Sequence, residues 1–110
     1  MTTQHRDLAA GRWAEMPLVE RMANIGSEVE RALKWSAKGN AEYSRMAYER
    51  ALELLDLSLR CEHGYYRLKE TARLREALVD YFAGTNEFKS SESLWRSYFS
   101  PFTYAARKLS

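Results

Sequence analysis

The sequence contains few residues that break helices and few that cross-link a chain or bind metals. Its 110 residues include two prolines, five glycines, one cysteine and two histidines. So few prolines and glycines argue against many short strands joined by tight turns, and they favour long helices. The single cysteine, Cys61, cannot form an internal disulfide, so we expect a free thiol and no disulfide scaffold.

The sequence also lacks an apolar run of the roughly 20 residues needed to cross a bilayer. Residues 1–6 are not followed by the apolar stretch of a secretory signal. Hydrophobic residues make up 45% of the chain and charged residues 29%, with a net charge of +2. This is the balance of a globular protein, and it is too weakly basic to predict nucleic-acid binding by itself. We therefore expect one cytoplasmic domain that does not associate with membranes.

Apolar periodicity predicts four helices after an N-terminal arm. Residues 1–14 show no sustained apolar period, so we assign them to a flexible arm and residues 15–110 to a single helical-bundle domain. The helices are predicted to begin at Pro17, after an Asn40 cap, at Tyr65 or Tyr66, and after Ser90 or Ser91. Ser100-Pro101 indicates a second start, which gives a helix that continues or kinks toward Ser110. Short loops make consecutive helices alternate in direction, so we predict an all-α, up-down-up-down four-helix bundle with room for a short fifth C-terminal helix.

The apolar positions of each helix predict the core. In the first helix they are Leu18, Met22, Ile25, Val29, Ala32, Leu33 and Ser36. In the second they are Tyr43, Met46, Ala47, Ala51, Leu54, Leu55, Leu57 and Ser58. In the third they are Leu68, Thr71, Ala72, Leu78, Val79 and Phe82.

No complete catalytic or metal-binding set is visible. The two histidines, His5 and His63, fall in the arm and in a turn, no Glu-x-x-His pair is present, and no Gly-rich phosphate loop follows a strand. We therefore predict neither a cofactor nor a bound metal. Glu49, Glu53 and Asp56 share one stripe of the second helix and could hold Mg²⁺, but a solvated face neutralised by Arg45 and Arg60 is the simpler interpretation.

Two arginines fall on apolar faces of predicted helices. Arg50 lies between Tyr43 and Leu57, and Arg75 lies among the apolar positions of the third helix. A buried guanidinium needs a carboxylate or carbonyl partner, and Glu49, Glu53 or a facing residue of the first helix could supply it. The alternative is that both arginines line a binding cleft.

A second stripe lies outside the apolar face of the first helix and consists of Asn24, Glu28, Arg31 and Trp35. A tryptophan beside polar residues is typical of an interface anchor, yet the C-terminal segment of the same chain could also cover it.

Aromatic and basic residues alternate near the C-terminus, where Phe88, Trp95, Tyr98, Phe99, Phe102 and Tyr104 are interspersed with Lys89, Arg96, Arg107 and Lys108. Such a pattern could stack single-stranded bases, or it could simply close one side of the bundle.

The stretch 39–52, with its Ala47-Tyr48 step, resembles the second helix of the HEPN superfamily. That resemblance implies a four-helix, often dimeric protein that acts with nucleotidyltransferases, in toxin–antitoxin pairs, or as a ribonuclease. The ribonuclease branch has an Arg followed by four to six residues and a His, whereas Arg60 is only three residues before His63. The resemblance therefore implies a non-catalytic binding protein.

Together these observations predict a non-enzymatic protein-interaction module, as a homodimer or a subunit of a complex. The alternative is an RNA- or nucleotide-binding protein of the HEPN type whose Arg50, Arg73 and Arg75 contact phosphate. A magnesium-dependent hydrolase using the stripe of three carboxylates is the third alternative.

Overall fold

The computed structural model describes residues 11–62 and 64–109, and within them it contains helices and no strands. A short helix α1 (Trp13–Glu15) precedes four long ones: α2 (Leu18–Ala37), α3 (Ala41–Cys61), α4 (Tyr65–Ala83) and α5 (Glu92–Leu109). The predicted all-α helical bundle is thereby confirmed. None of the helices in the described ranges is long and apolar enough to span a membrane.

A three-residue link, residues 38–40, joins α2 to α3. Gly39 has a φ of 80°, a left-handed conformation that favours glycine after a helix, and the Asn40 N–H donates to the Trp35 carbonyl at 2.9 Å. The Asn40 side chain then accepts from the Tyr43 N–H, also at 2.9 Å, which caps the start of α3 as predicted. The last turn of α2 therefore lies beside the first turn of α3.

Helix α5 packs on α2 in the opposite direction. The backbone of Gly26 lies so close to Phe99 that a Cβ at position 26 would be 2.9 Å from the aromatic ring. One turn further along α2, Arg96 donates two hydrogen bonds to the Glu30 carboxylate, at 3.0 and 3.1 Å. With the α2–α3 and α3–α4 hairpins, this gives the predicted alternation of direction.

The core extends to the N-terminal side of the predicted domain. Trp13 is fully buried against α3, and its Nε1–H donates to the Ser58 hydroxyl at 3.0 Å. The prediction that residues up to 14 form a loose arm is therefore wrong at Trp13, because one large ring buries enough apolar area to fix a single helical turn. Residues 1–10, with His5, lie outside the described residues.

The short fifth helix lies at the N-terminus and not at the C-terminus. Helix α5 continues to Leu109 with Pro101 inside it. Ser97 and Pro101 are both exposed, so the carbonyl that loses its helical partner at Pro101 faces the solvent side of the helix. Water can bond to that carbonyl, so Pro101 does not end the helix and α5 remains one long helix.

The side of α4 that faces the core overlaps only in part with the predicted one, since Leu78 is buried and Phe82 packs against the core as predicted. Leu74 and Leu78 are buried, whereas Leu68 is 38% exposed and Ala72 is exposed. The predicted face would have turned Arg75 inward. The observed rotation leaves Arg75 at the edge of the core, where its guanidinium keeps contact with water and avoids most of the cost of desolvation.

Candidate functional site

A cleft between the end of α2 and the beginning of α3 gathers four of the residues that the sequence singled out. Its volume is about 310 Å³, and its walls are Arg31, Trp35, Tyr43, Met46, Ala47 and Arg50. Glu28, the fourth predicted residue, lies against the two arginines. We refer to this site as the Trp35 cleft.

A buried carboxylate holds both arginines of the cleft. The Glu28 side chain is 7% exposed, and it accepts a hydrogen bond from Arg31, three residues later on α2. The Arg50 Nε lies 3.9 Å from the other Glu28 oxygen. Because a buried carboxylate requires compensation of its charge, Glu28 fixes the position of the arginines that cover it. One of the partners allowed by the sequence, a facing residue of the first helix, is therefore a partner of Arg50.

The aromatic wall of the cleft consists of Trp35 and Tyr43. Their ring centroids are 4.9 Å apart with an interplanar angle of 89°, an edge-to-face arrangement. The Lys38 ammonium lies 5.1 Å from the centroid of the Trp35 ring, within the range of a cation–π contact. Trp35 is half-buried, and Tyr43 and Lys38 contact its ring.

The cleft combines exposed apolar surface with fixed positive charge. Tyr43 and Met46 are 48% and 40% exposed, and the Arg31 side chain is 62% exposed. Aromatic residues, methionine and arginine are enriched in protein interfaces, since they offer large contact areas and planar hydrogen-bond donors. This arrangement can bind an apolar side chain next to a carboxylate.

The remaining predicted residues lie elsewhere. Arg75 donates to Asp56 of α3 at 2.7 and 3.4 Å, and this hydrogen bond, with the nearby negative charge, raises the pKa of Arg75. Its partner is thus a residue that the sequence had not suggested for it. Asn24 donates to the Glu20 carbonyl of its own helix, one turn away from the cleft.

Arg73 lies on a different surface from the other two arginines of the RNA-binding alternative. It lines a groove between α4 and α5 with a volume of about 360 Å³. Arg50, Arg73 and Arg75 therefore face three surfaces, and they do not form one phosphate-binding patch.

The three carboxylates of the α3 stripe do not assemble into a metal site. Asp56 is bound to Arg75, Glu49 is exposed, and Glu53 is half-buried. Among the described residues, no three His, Cys, Asp or Glu side chains lie close enough together to hold a metal ion. His63, which the sequence placed in a turn, is outside the described residues.

Tyr43 and Met46 were predicted to be core residues, and the structure places them in the cleft instead. The sequence signal for this placement lies in Gly39 and Asn40, which end α2 and cap α3. A three-residue connection with Asn40 as the cap puts Tyr43 in the first turn of α3, beside the last turn of α2. At the end of a hairpin a helix has neighbours on fewer sides, so an apolar residue there is less covered.

The chain has no match among family models, among characterised proteins or among solved structures. The resemblance to HEPN bundles therefore stays a prediction, and the function has to be argued from the site.

Proposed function

We propose that this helical bundle is a non-enzymatic protein-interaction module that binds its partner at the Trp35 cleft. The observation that carries the proposal is the presence, in one cleft, of partly exposed Trp35, Tyr43 and Met46 beside two arginines held by a buried carboxylate. A partner side chain would gain a preorganised site, because the arginines are already in position.

The charges of the cleft support a partner with an acidic group. Arg31 uses one of its guanidinium donors on Glu28 and has others that face solvent, since its side chain is 62% exposed. Lys38 adds a further cation beside Trp35. A carboxylate next to an apolar side chain would match both the guanidinium of Arg31 and the rings of Trp35 and Tyr43.

The test is a comparison of captured proteins rather than a single capture. The wild type, Trp35→Ala, Arg31→Ala and Phe88→Ala would be immobilised and exposed to the same lysate, and the bound proteins quantified. Phe88 is an exposed aromatic that does not line the cleft, so it serves as the control. We expect a protein that binds the wild type and Phe88→Ala and is lost from both cleft variants.

A partner bound equally by all four proteins would place the interaction elsewhere and overturn the proposal for the cleft. The absence of any stoichiometric partner would overturn the proposed function itself. Far-UV circular dichroism of each variant checks that a loss of binding is not a loss of fold.

A second candidate is RNA or nucleotide binding of the HEPN type, and a basic groove favours it. Between α2 and α5 a groove of about 590 Å³ is lined by Arg31, Lys34, Arg96 and Arg107 with one carboxylate, Glu30. Tyr104 in the same groove is 55% exposed and could stack on a base. This groove replaces the three dispersed arginines as the surface on which to test the candidate.

Fluorescence anisotropy with a labelled single-stranded RNA would measure this binding at low and high salt. If the groove binds phosphate, Arg107→Glu weakens the affinity and reduces its dependence on salt, whereas Arg73→Glu on α4 leaves both unchanged. Equal effects of the two substitutions, or no binding by the wild type at low salt, would exclude this groove as a nucleic-acid site.

A further inference from the structure

Helix α4 presents an unpartnered face to solvent. In α4, all of whose residues are described, Leu74 and Leu78 are the buried positions. Both belong to the core cluster, and Tyr98 of α5 donates a hydrogen bond to Glu70 across an open groove that Leu74 lines. The side of α4 opposite to Leu74 and Leu78 has no covering element in the described part of the chain.

The outward stripe of this helix carries one cation, one anion and two uncharged residues. Tyr65, Lys69, Ala72 and Glu76 follow each other at helical spacing, and all four are exposed. Tyr65 is 68% exposed, with the Lys69 ammonium 6.0 Å from the centroid of its ring. Ala72 lies in the middle, where its small side chain would allow another helix to approach closely.

The order of these residues makes the stripe complementary to itself. In a pair of antiparallel α4 helices that cross near Ala72, Lys69 of each copy lies opposite Glu76 of the other, so the same ion pair forms twice. A parallel pair would instead place each charge beside its own counterpart and would be repulsive. The antiparallel order also opposes the two helix dipoles favourably.

We propose that two copies of this chain associate through α4 in an antiparallel, two-fold symmetric pair. A second copy of the chain covers the exposed face of α4, because the charges on either side of Ala72 are complementary to those of the same stripe in the antiparallel direction. This interface is separate from the Trp35 cleft, which α2 and α3 form. A dimer would therefore present two Trp35 clefts to its partners.

Charge reversal tests the pairing directly on the full-length chain. Sedimentation velocity over a wide range of concentrations at low salt would measure the dimer dissociation constant of the wild type, Lys69→Glu, Glu76→Lys and the double variant Lys69→Glu/Glu76→Lys. Each single variant puts like charges opposite each other at both symmetric positions, so we expect the dissociation constant to rise about tenfold or more. The double variant restores opposite charges and should dimerise like the wild type.

Mixing the two single variants adds a test of charge complementarity. The Lys69→Glu copy is negative at both positions of the stripe and the Glu76→Lys copy is positive at both, so both contacts of their heterodimer join opposite charges. The mixture should therefore dimerise more tightly than either single variant alone. Glu42→Lys on α3 makes the same change of charge outside the stripe, and it should leave the dimer intact.

Three results would overturn the proposal. They are a wild type that stays monomeric at every concentration, a dimer that both single reversals leave unchanged, and single reversals that weaken the dimer without restoration in the double variant. As a check independent of charge, Ala72→Arg places a long side chain at the crossing point and should abolish dimerisation. A dimer that survives Ala72→Arg would also contradict the proposed geometry.

Discussion

Helices α3 and α4 have almost the same length, but they are covered to very different extents. Seven residues of α3 are buried, whereas α4 buries Leu74 and Leu78. Helix α3 lies between α2 and α4, and Trp13 of α1 packs on it as well. Helix α4 packs against α3, and an open groove separates it from α5. The amino-acid composition of both segments favours a helix. The number of helices packed around each segment decides how many of its residues enter the core.

The largest expected effect comes from removing the same side chain from each of these helices. Leu55 of α3 is fully buried, and Leu74 of α4 is 6% exposed at the edge of the core. Within the usual cost of about 2–5 kcal/mol for a buried leucine changed to alanine, we expect Leu55→Ala at the upper end and Leu74→Ala at the lower. Urea denaturation would measure both values. Equal losses would mean that α4 is as firmly held as α3.

The second prediction concerns the contact of α5 with α2, which is closer than its contact with α4. Gly26→Ala places a Cβ 2.9 Å from the Phe99 ring, so α5 must shift, at a cost of about 1–3 kcal/mol in the free energy of unfolding. Ser27→Ala, at an exposed neighbouring position, is the control and should cost almost nothing. A shortened ring in Gly26→Ala/Phe99→Leu should cost less than the sum of the two single changes. Simple additivity would show that the two residues are not in contact.

The third prediction uses pH to probe the bond between α4 and α5. Burial, and then the neighbouring Glu70 that accepts its hydrogen bond, raise the pKa of Tyr98 above its usual value of 10.0. Below pH 10 both folded and unfolded chains keep this proton. Above it the unfolded chain loses the proton first, so the free energy of unfolding falls as the pH rises.

Tyr98→Phe removes this contribution, so its stability should fall less steeply on the alkaline side than that of the wild type. At neutral pH the variant should lose at most about 1 kcal/mol, since the bond is exposed to solvent. Part of the alkaline loss will persist, because burial also raises the pKa of Tyr48, which the variant retains. Parallel pH profiles of the variant and the wild type would mean that Tyr98 does not link the two helices. Denaturant titrations at a series of pH values provide the measurement.

The smallest expected effect is the loss of the ion pair between α3 and α4. The side chains of Arg75 and Asp56 are 36% and 43% exposed, so water screens their attraction. We expect Arg75→Gln to lower the free energy of unfolding by less than about 1 kcal/mol, and added salt to reduce the difference. Arg73→Gln, on the same helix, is the matched control. A large, salt-independent loss at Arg75 would mean that the pair is far better shielded from water than its exposure indicates.

Much of the fold could be predicted because the signals were local. Asn40 caps α3, Gly39 ends α2, and Gly84 follows α4, each at the expected place. The sequence left open whether the last helix continues through Pro101 or kinks there, because the answer depends on whether Pro101 faces solvent. The burial of Trp13 depends on a groove beside α3 that contains Ser58, 45 residues later in the chain.

The candidate site was predictable in part for the same reason. The α2 stripe of Glu28, Arg31 and Trp35 follows from helical spacing alone. The meeting of Arg50 with Glu28 required the register of two helices, and the exposure of Tyr43 required the ends of the hairpin to be uncovered. Arg75 was predicted to lie among apolar residues, and it lies at the edge of the core because α4 is rotated relative to the prediction.

The sequence by itself determined the number of long helices, their ends and the polar or apolar character of each face. Caps, turns and apolar periodicity determine these features, and each depends on residues only a few positions apart. Only the tertiary structure decided how α4 is rotated, that Trp13 belongs to the core, and that Glu28 is buried beneath two arginines. These features depend on which surfaces meet, and an apolar arc as wide as that of α4 is compatible with several rotations. Desolvation of Arg75 and the burial of Leu74 and Leu78 favour the one that is observed.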